Sequence, residues 1–395
     1  MRAAIVVQRY GNEVLGGAET LARRVAELLA PELELTVVTT CALDYLTWAD
    51  HYPAGEDEVN GVRVLRFPVP KPRDPKRFAR ISDKAYRAPR DLELGSEWMR
   101  AQGPHSPELL EHLRDQGSQY DVVAFITYLY ATTTEALPLV ADRAVLYPTM
   151  HDEPPLRLAI FDEIFARSLA VLFSTPEERE LARSRFGVED DRARIIGVGV
   201  DELEGDGARF QAETGVARPY AAYLGRLDPS KGVPDLIAHH TRYRTGRPDG
   251  LDLVLIGSGD IDLPAGNGIH ALGFVPEQLK HDAIAGAEVV ICPSPYESLS
   301  LSQLEAWTHA RPTLSNATSP VLVGQSQRSG GGLWYENGTE YAAMLDLLAR
   351  AEPLADAIGS QGRRYARENY SWDRVRDGWL AALSGVARPA RADSP

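Results

Sequence analysis

The sequence predicts an α/β protein made of two doubly wound, Rossmann-like domains whose parallel sheets face a common cleft. Three observations predict it. The chain has 395 residues, too many for one ordinary hydrophobic core, so a division into two is the natural expectation. Short apolar runs alternate with amphipathic stretches along its length, the pattern of parallel sheets covered by helices on both faces. That alternation runs through the first half and then starts afresh, after the polar stretch Asp-Glu-Leu-Glu-Gly-Asp-Gly at 201–207, which reads as a linker.

In the first half, residues 3–7 form a buried strand. Residues 19–29 follow with Leu21, Val25, Leu28 and Leu29 at helical spacing. Residues 35–39, 121–126, 144–147 and 170–173 are further strands. In the second half the strands are 220–224, 251–256, 268–271 and 289–291, with helices starting at Val233, Pro276 and Ser300. Ligands of such sheets sit beyond the carboxyl ends of the strands. The tail holds Tyr370-Ser371-Trp372-Asp373 and an amphipathic helix through Leu383, then a frayed end from Arg388 to Pro395.

The composition is that of a soluble globular protein, 44% hydrophobic and 25% charged, with a net charge of -14. Nothing in it suggests a nucleic-acid binder, which usually shows a basic face. Two cysteines, Cys41 and Cys292, make neither a disulfide framework nor a Cys-rich metal site, and fit a reducing, cytoplasmic setting. No apolar run is long enough for a signal peptide or a membrane span. One segment, 66–90, breaks the acidic trend with nine Lys or Arg and two Asp. It reads as a solvated loop; the alternative is a surface that meets an anionic acceptor or lipid headgroup.

Four motifs carry chemistry. The first is Ser294-Pro-Tyr-Glu297-Ser298-Leu299-Ser300-Leu-Ser-Gln-Leu-Glu305, after an apolar strand. Glu297 falls in the strand-to-helix turn and Glu305 about 9–12 Å further along, so two carboxylates can hold hydroxyls at two ends of an elongated ligand. The amides of Ser298, Leu299 and Ser300 lie at a helix N-terminus and suit a phosphate. The second is Gly225-Arg226-Leu-Asp-Pro-Ser-Lys231-Gly232, where two cations at a strand end can clamp a diphosphate and take up charge on a leaving group. The third, Gly16-Gly17-Ala18-Glu19, lets main-chain amides approach an anion or a sugar. It lacks the Gly-x-Gly-x-x-Gly spacing of a dinucleotide site. The fourth is His151, after the strand at 144–147, placed to donate to a sugar hydroxyl. Asp260-Ile-Asp262 has a metal–diphosphate spacing but trails a Gly loop and reads as plain loop; His239-His240 lacks acidic or Cys partners.

Together these motifs, in order and spacing from about residue 1 to residue 380, resemble glycosyltransferase family 4. The resemblance implies a GT-B fold, metal-independent catalysis without a cofactor, and retention of anomeric configuration. It implies that Arg226 and Lys231 clamp the diphosphate, that Glu297 holds donor-sugar hydroxyls and that Glu305 holds the ribose. Gly16, Gly17 and Gly225 approach the phosphates or acceptor, His151 lies near the reacting centre, Phe274 and Val275 contact the base, and the loop at Gly257 lines the nucleotide. The sequence departs from the family at Ser298-Leu299-Ser300, where Gly-Phe-Gly is common. Side chains crowd the sugar there, and the donor sugar is left open. The implied domains are 1–200 for the acceptor, 201–370 for the donor, and a helix from 371 that returns to the first domain.

The implied partners are a nucleotide-sugar donor, UDP ahead of GDP, and a hydroxyl acceptor that is a glycan, a lipid-linked sugar or a small molecule. The acceptor would meet residues 10–16, the basic segment and residues 98–107, and the basic segment would also make any contact with a membrane surface. The rivals are a non-catalytic nucleotide-sugar scaffold, a sugar-nucleotide epimerase or phosphorylase, and an NAD-dependent dehydrogenase, which the missing fingerprint disfavours.

Overall fold

The computed structural model describes residues 1–14, 16–217, 219–259, 261, 266 and 268–387. Leu15, Asp260, Asp262 and the tail from Arg388 to Pro395 lie outside them. The chain forms two compact units, one of residues 1–197 with 375 onward and one of residues 198–374.

The first unit holds an eight-stranded sheet: β1 (Arg2–Val6), β2 (Glu34–Thr40), β3 (Gly55–Val59), β4 (Val62–Phe67), β5 (Val122–Ile126), β6 (Ala144–Tyr147), β7 (Ala170–Phe173) and β8 (Ala193–Ile195), in the order β3-β4-β2-β1-β5-β6-β7-β8. Every pair is parallel except β3 with β4. β5 to β7 are buried along their whole length, which is why they read as unbroken apolar runs. β3 is a polar edge strand, Gly-Glu-Asp-Glu-Val, folded back onto β4 through Asn60 and Gly61, both at positive φ. Its acidic side chains keep the sheet edge from pairing with another chain. In the C-terminal helix Trp372–Val386, Trp379 is fully buried and stacks on Tyr147 at 5.5 Å.

The basic segment is loop only in part. Arg66 closes into β4, 2% exposed, donating to Asp57 at 2.8 Å and to the Tyr10 carbonyl at 2.7 Å. Asp74 then caps the helix Pro75–Ala85 by accepting from the amides of Lys76 and Arg77, an arrangement that replaces water at two otherwise unpaired donors. Lys71, Lys76, Arg77, Arg80, Lys84, Arg87 and Arg90 are exposed, so a solvated surface survives, with Lys76, Arg77, Arg80 and Lys84 on the helix. Trp98 leaves the set of acceptor contacts: it is fully buried in the helix Leu92–Gln102 and donates to Ser82 Oγ at 2.9 Å.

The second unit holds six strands, all parallel: β9 (Tyr220–Leu224), β10 (Asp252–Ile256), β11 (Ile269–Gly273), β12 (Val289–Cys292), β13 (Thr313–Asn316) and β14 (Gly332–Tyr335). Their order, β11-β10-β9-β12-β13-β14, is the doubly wound order 3-2-1-4-5-6. Successive residues of β9 feed opposite cores: Ala221 and Tyr223 one, Tyr220, Ala222 and Leu224 the other. His240 is core. It is fully buried, bonds Tyr341 Oη at 2.9 Å, and burial pushes its imidazole down to about 4.

Candidate functional site

The strand order of the second sheet reverses between β9 and β12, and the loops after these two strands carry the two strongest motifs. The β9 loop runs Gly225, Arg226, Leu227 and then a turn, Pro229–Lys231, capped by Asp228, whose carboxylate accepts from the Ser230 amide at 2.8 Å. Gly232 closes the turn at φ 72, and a Cβ there would lie 2.3 Å from the Pro293 carbonyl. That contact sets the β9 turn directly against the loop after β12. The same carbonyl accepts from Asn316 at 2.9 Å, so it is held from both sides.

The consequence is an ion pair between residues 66 positions apart: Lys231 Nζ donates to Glu297 Oε1 at 2.9 Å. The lysine is 30% exposed and the glutamate 17%, so both charges still reach solvent. Arg226 is exposed and makes no ion pair among the described residues. After Glu297 the helix Leu301–Thr308 starts behind Ser300, whose hydroxyl accepts from the Gln303 amide. Ser300 is therefore the cap, and Glu297 is not. Leu299 and Ser300 are buried, and Ser298 is half-buried. Glu305, on the helix, is held by Lys280 Nζ at 2.9 Å from the helix Glu277–Gly286. Burial works against the charge on Lys280, but Glu305 and Glu277 hold its ammonium above the usual lysine value.

Two further loops complete this end of the sheet. Gly257 follows β10 at φ 138, and its amide donates to the Gly273 carbonyl at 2.8 Å. Phe274 follows β11 and is 73% exposed, while Val275 packs on the core. Nearby Cys292 is inert: burial pushes its thiol up to about 12. Thus Gly225, Arg226, Lys231, Gly257, Phe274, Val275, Glu297, Ser298, Leu299, Ser300 and Glu305 all lie on the loops and helix starts beyond the carboxyl ends of β9 to β12.

The remaining expected residues belong to the first unit. Gly16 caps the helix Gly17–Leu29, which follows β1; a Cβ at Gly17 meets nothing within 4 Å. Glu19 in that helix is buried and accepts from Arg9 Nε at 3.0 Å. His151 follows β6, 28% exposed, with Nδ1 3.6 Å from Glu153 Oε1. The same oxygen accepts from Tyr128 Oη at 2.9 Å.

Sequence reasoning missed Arg9, Lys280 and Glu178. Glu178 had a signal: Thr175-Pro-Glu-Glu178 is a capping-box pattern. Arg9 and Lys280 had none, because each is defined by a partner on another element. Among the described residues, no group of three or more His, Cys, Asp or Glu is gathered as metal ligands would be, and no helix is long and apolar enough to cross a membrane.

Residues 218–350 match the family model described as glycosyl transferases group 1. The D-inositol 3-phosphate glycosyltransferase of Frankia alni is 29% identical over 266 residues, which are 60% of this chain and 62% of that protein; the chain thus spans less than two thirds of the relative. Among solved structures, sucrose-phosphate synthase from Thermosynechococcus elongatus superposes with a TM-score of 0.72 at 16% identity, covering 98% of both chains. Anabaena HepE, in complex with UDP-glucose, gives 0.70 at 16% identity over 98% of this chain and 100% of its own.

Proposed function

We propose that this protein, which belongs to the glycosyl transferases group 1 family through residues 218–350 and has the GT-B fold, transfers a sugar from a nucleoside diphosphate sugar to a hydroxyl acceptor with retention of configuration. The observation that carries the reading is the 2.9 Å contact between Lys231 and Glu297. It joins a cationic loop made for a diphosphate to a carboxylate made for sugar hydroxyls, at the switch point where such sheets bind ligands.

The chemistry follows from the placement. As the bond between the anomeric carbon and the diphosphate oxygen breaks, charge grows on that oxygen. Arg226, Lys231 and the first amides of the helix Leu301–Thr308 take it up. The acceptor oxygen bonds to the same face of the anomeric carbon, and its proton passes to the departing phosphate oxygen. Glu297 orients the sugar hydroxyls and Glu305 the ribose, so neither acts as the nucleophile a retaining hydrolase needs. His151, on the loop after β6, donates to a sugar hydroxyl. Neither a metal nor a cofactor enters these steps. UDP is the favoured nucleotide; HepE, which shares the fold, is complexed with UDP-glucose. The acceptor is a glycan, a lipid-linked sugar or a small molecule such as a sugar or inositol phosphate, and the place of action is the cytoplasm.

A thermal-shift panel with UDP, GDP, ADP, CMP and NAD tests the reading on wild type and on Arg226→Ala/Lys231→Ala. A ligand at a hundred times its Kd stabilises the folded state by about 2.7 kcal/mol. The expected result is a shift with one nucleoside diphosphate, absent in the double variant. No shift with any diphosphate sinks it, and a shift with NAD alone sinks it in favour of a dehydrogenase. In the same assay Phe274→Ala weakens the nucleotide by about 1 kcal/mol, the scale of one aromatic stacking contact. It leaves the melting temperature without ligand unchanged, because the ring is exposed.

A further inference from the structure

His151 sits on a loop whose backbone is not at rest. Thr149 adopts φ 50, a left-handed geometry that costs a non-glycine residue roughly 1–2 kcal/mol. Something must hold it. On one side the loop is tied to the turn after β5: the Thr127 amide donates to the Tyr147 carbonyl at 2.8 Å, the Tyr128 amide to the Pro148 carbonyl at 3.1 Å, and Tyr128 Oη to Glu153. On the other side stands Glu178, 1% exposed, in the first turn of the helix Pro176–Phe186.

A glutamate three residues after a capping threonine ordinarily bonds back to the amide of that threonine. Glu178 does something else. Its Oε2 accepts from the Ser174 amide at 2.7 Å, and its Oε1 accepts from the Met150 amide at 2.7 Å, beside His151. Both oxygens are committed to loop backbone, one after β7 and one after β6. A carboxyl is costly at so buried a position, where burial pushes it up to about 8 against the pull of the Ser174 and Met150 amides. Gln cannot replace it, since the Gln amide would turn an N–H against one of the two backbone N–H groups.

We infer that Glu178 is a positioning residue for His151: its carboxyl, bridging the Met150 and Ser174 amides, holds the strained β6 loop so that the imidazole keeps its place. This rests on the reading of His151 given above. The bridge acts through backbone alone, so its loss changes where His151 points without removing any group that touches substrate.

The test is Glu178→Gln, with Glu178→Asp as a second variant that keeps the carboxyl but cannot span both amides. Hydrogen exchange over residues 147–153 is read first, without ligand. The expected result is at least tenfold faster exchange there, with β5 unchanged. Unaltered exchange overturns the inference. Release of UDP from UDP-glucose is read next, in wild-type and His151→Ala backgrounds. Glu178→Gln is expected to lower kcat about tenfold with KM for UDP-glucose unchanged, and to cost nothing further once His151 is gone. An equal loss in both backgrounds overturns it, because Glu178 then acts on something other than His151. If His151→Ala alone keeps full kcat, the role of His151 fails, and the exchange result still decides whether Glu178 holds the loop. Should Glu178→Gln not fold, Glu178→Asp is read by the same criteria, with a smaller effect of the same sign.

Discussion

Glu297→Ala lowers sugar transfer by roughly 10²–10³-fold in kcat/KM, the scale set by removing one preorganised polar group from a reacting centre, while folding stability falls by about 1 kcal/mol or less. The two magnitudes differ because the pair with Lys231 is worth little to the fold. Lys231 is 30% exposed, and an ion pair that water can reach contributes about 0–1 kcal/mol. Its value lies in the geometry it imposes before the donor arrives. With Glu297 gone, the ammonium has no fixed partner, the sugar hydroxyls lose their acceptor, and the diphosphate clamp must be ordered during binding. Lys231→Ala should give a loss of similar size, and the double variant should fall well short of the product of the two, since groups acting as one unit are not additive. The measurement is steady-state kinetics with sugars carried on the nucleotide that the thermal-shift panel names, beside urea melts of each variant. Full transfer activity with normal donor affinity in Glu297→Ala removes the assignment.

The features legible in the sequence were those written in a contiguous stretch. β6, β7 and β9 fall on the expected residues, because a strand buried on both faces is a short apolar run and nothing else. Helix starts at Val233 and just after Pro276 and Ser300 were legible for a similar reason: each follows a turn residue or a cap. The β3–β4 hairpin was passed over although Val59-Asn60-Gly61-Val62 is a strong hairpin signal. Its first strand is too polar to look like a strand by hydropathy. The helix Pro75–Ala85 was hidden by its charge, since a run rich in Lys and Arg hides the three core-facing positions Ile81, Ser82 and Ala85.

The site divides the same way. Glu297, Lys231 and Arg226 declare themselves by residue type and spacing. What the sequence could not hold is the pairing: Lys231 with Glu297 depends on how Gly232 meets Pro293, and Lys280 with Glu305 depends on two helices from different crossovers. Glu178 is the sharpest case, because its motif promises a local cap and its oxygens go to two loops instead.

Gly257→Ala is expected to cost the second unit about 2–6 kcal/mol, far more than the removal of any surface charge. Beyond the ends of β9, β10 and β11 the parallel ladder continues through the loops: the Gly225 amide donates to the Ile256 carbonyl at 3.0 Å, Leu227 to Ser258 at 3.0 Å, and Gly257 to Gly273 at 2.8 Å. For the chains to approach this closely there is no room for side chains. A Cβ at Gly257 would lie 1.9 Å from the Gly225 carbonyl oxygen, and one at Gly259 1.9 Å from that of Leu227. Gly257 also sits at φ 138, where an L side chain is strained whatever the space. Backbone strain of roughly 1–3 kcal/mol adds to an overpacking cost of about 1–3 kcal/mol, and the obstacle is a main-chain carbonyl that cannot rotate aside. At about 2–4 °C per kcal/mol for a body of this size, the melting temperature should fall on the order of 10 °C. Gly246→Ala is the control: its Cβ meets nothing within 4 Å, at the end of the helix Val233–Gly246, and its melting temperature should stay within about 2 °C of wild type. The link to function is that Arg226 follows Gly225 directly. Whatever part of the Gly257→Ala chain remains folded must have moved the Gly225 carbonyl, and with it the base of the Arg226 side chain, so nucleotide affinity should fall in that folded fraction too. A variant that melts with wild type and binds the nucleotide normally would mean that the Gly225 loop yields freely, and the ladder beyond the strand ends would then not be what fixes the position of the diphosphate clamp.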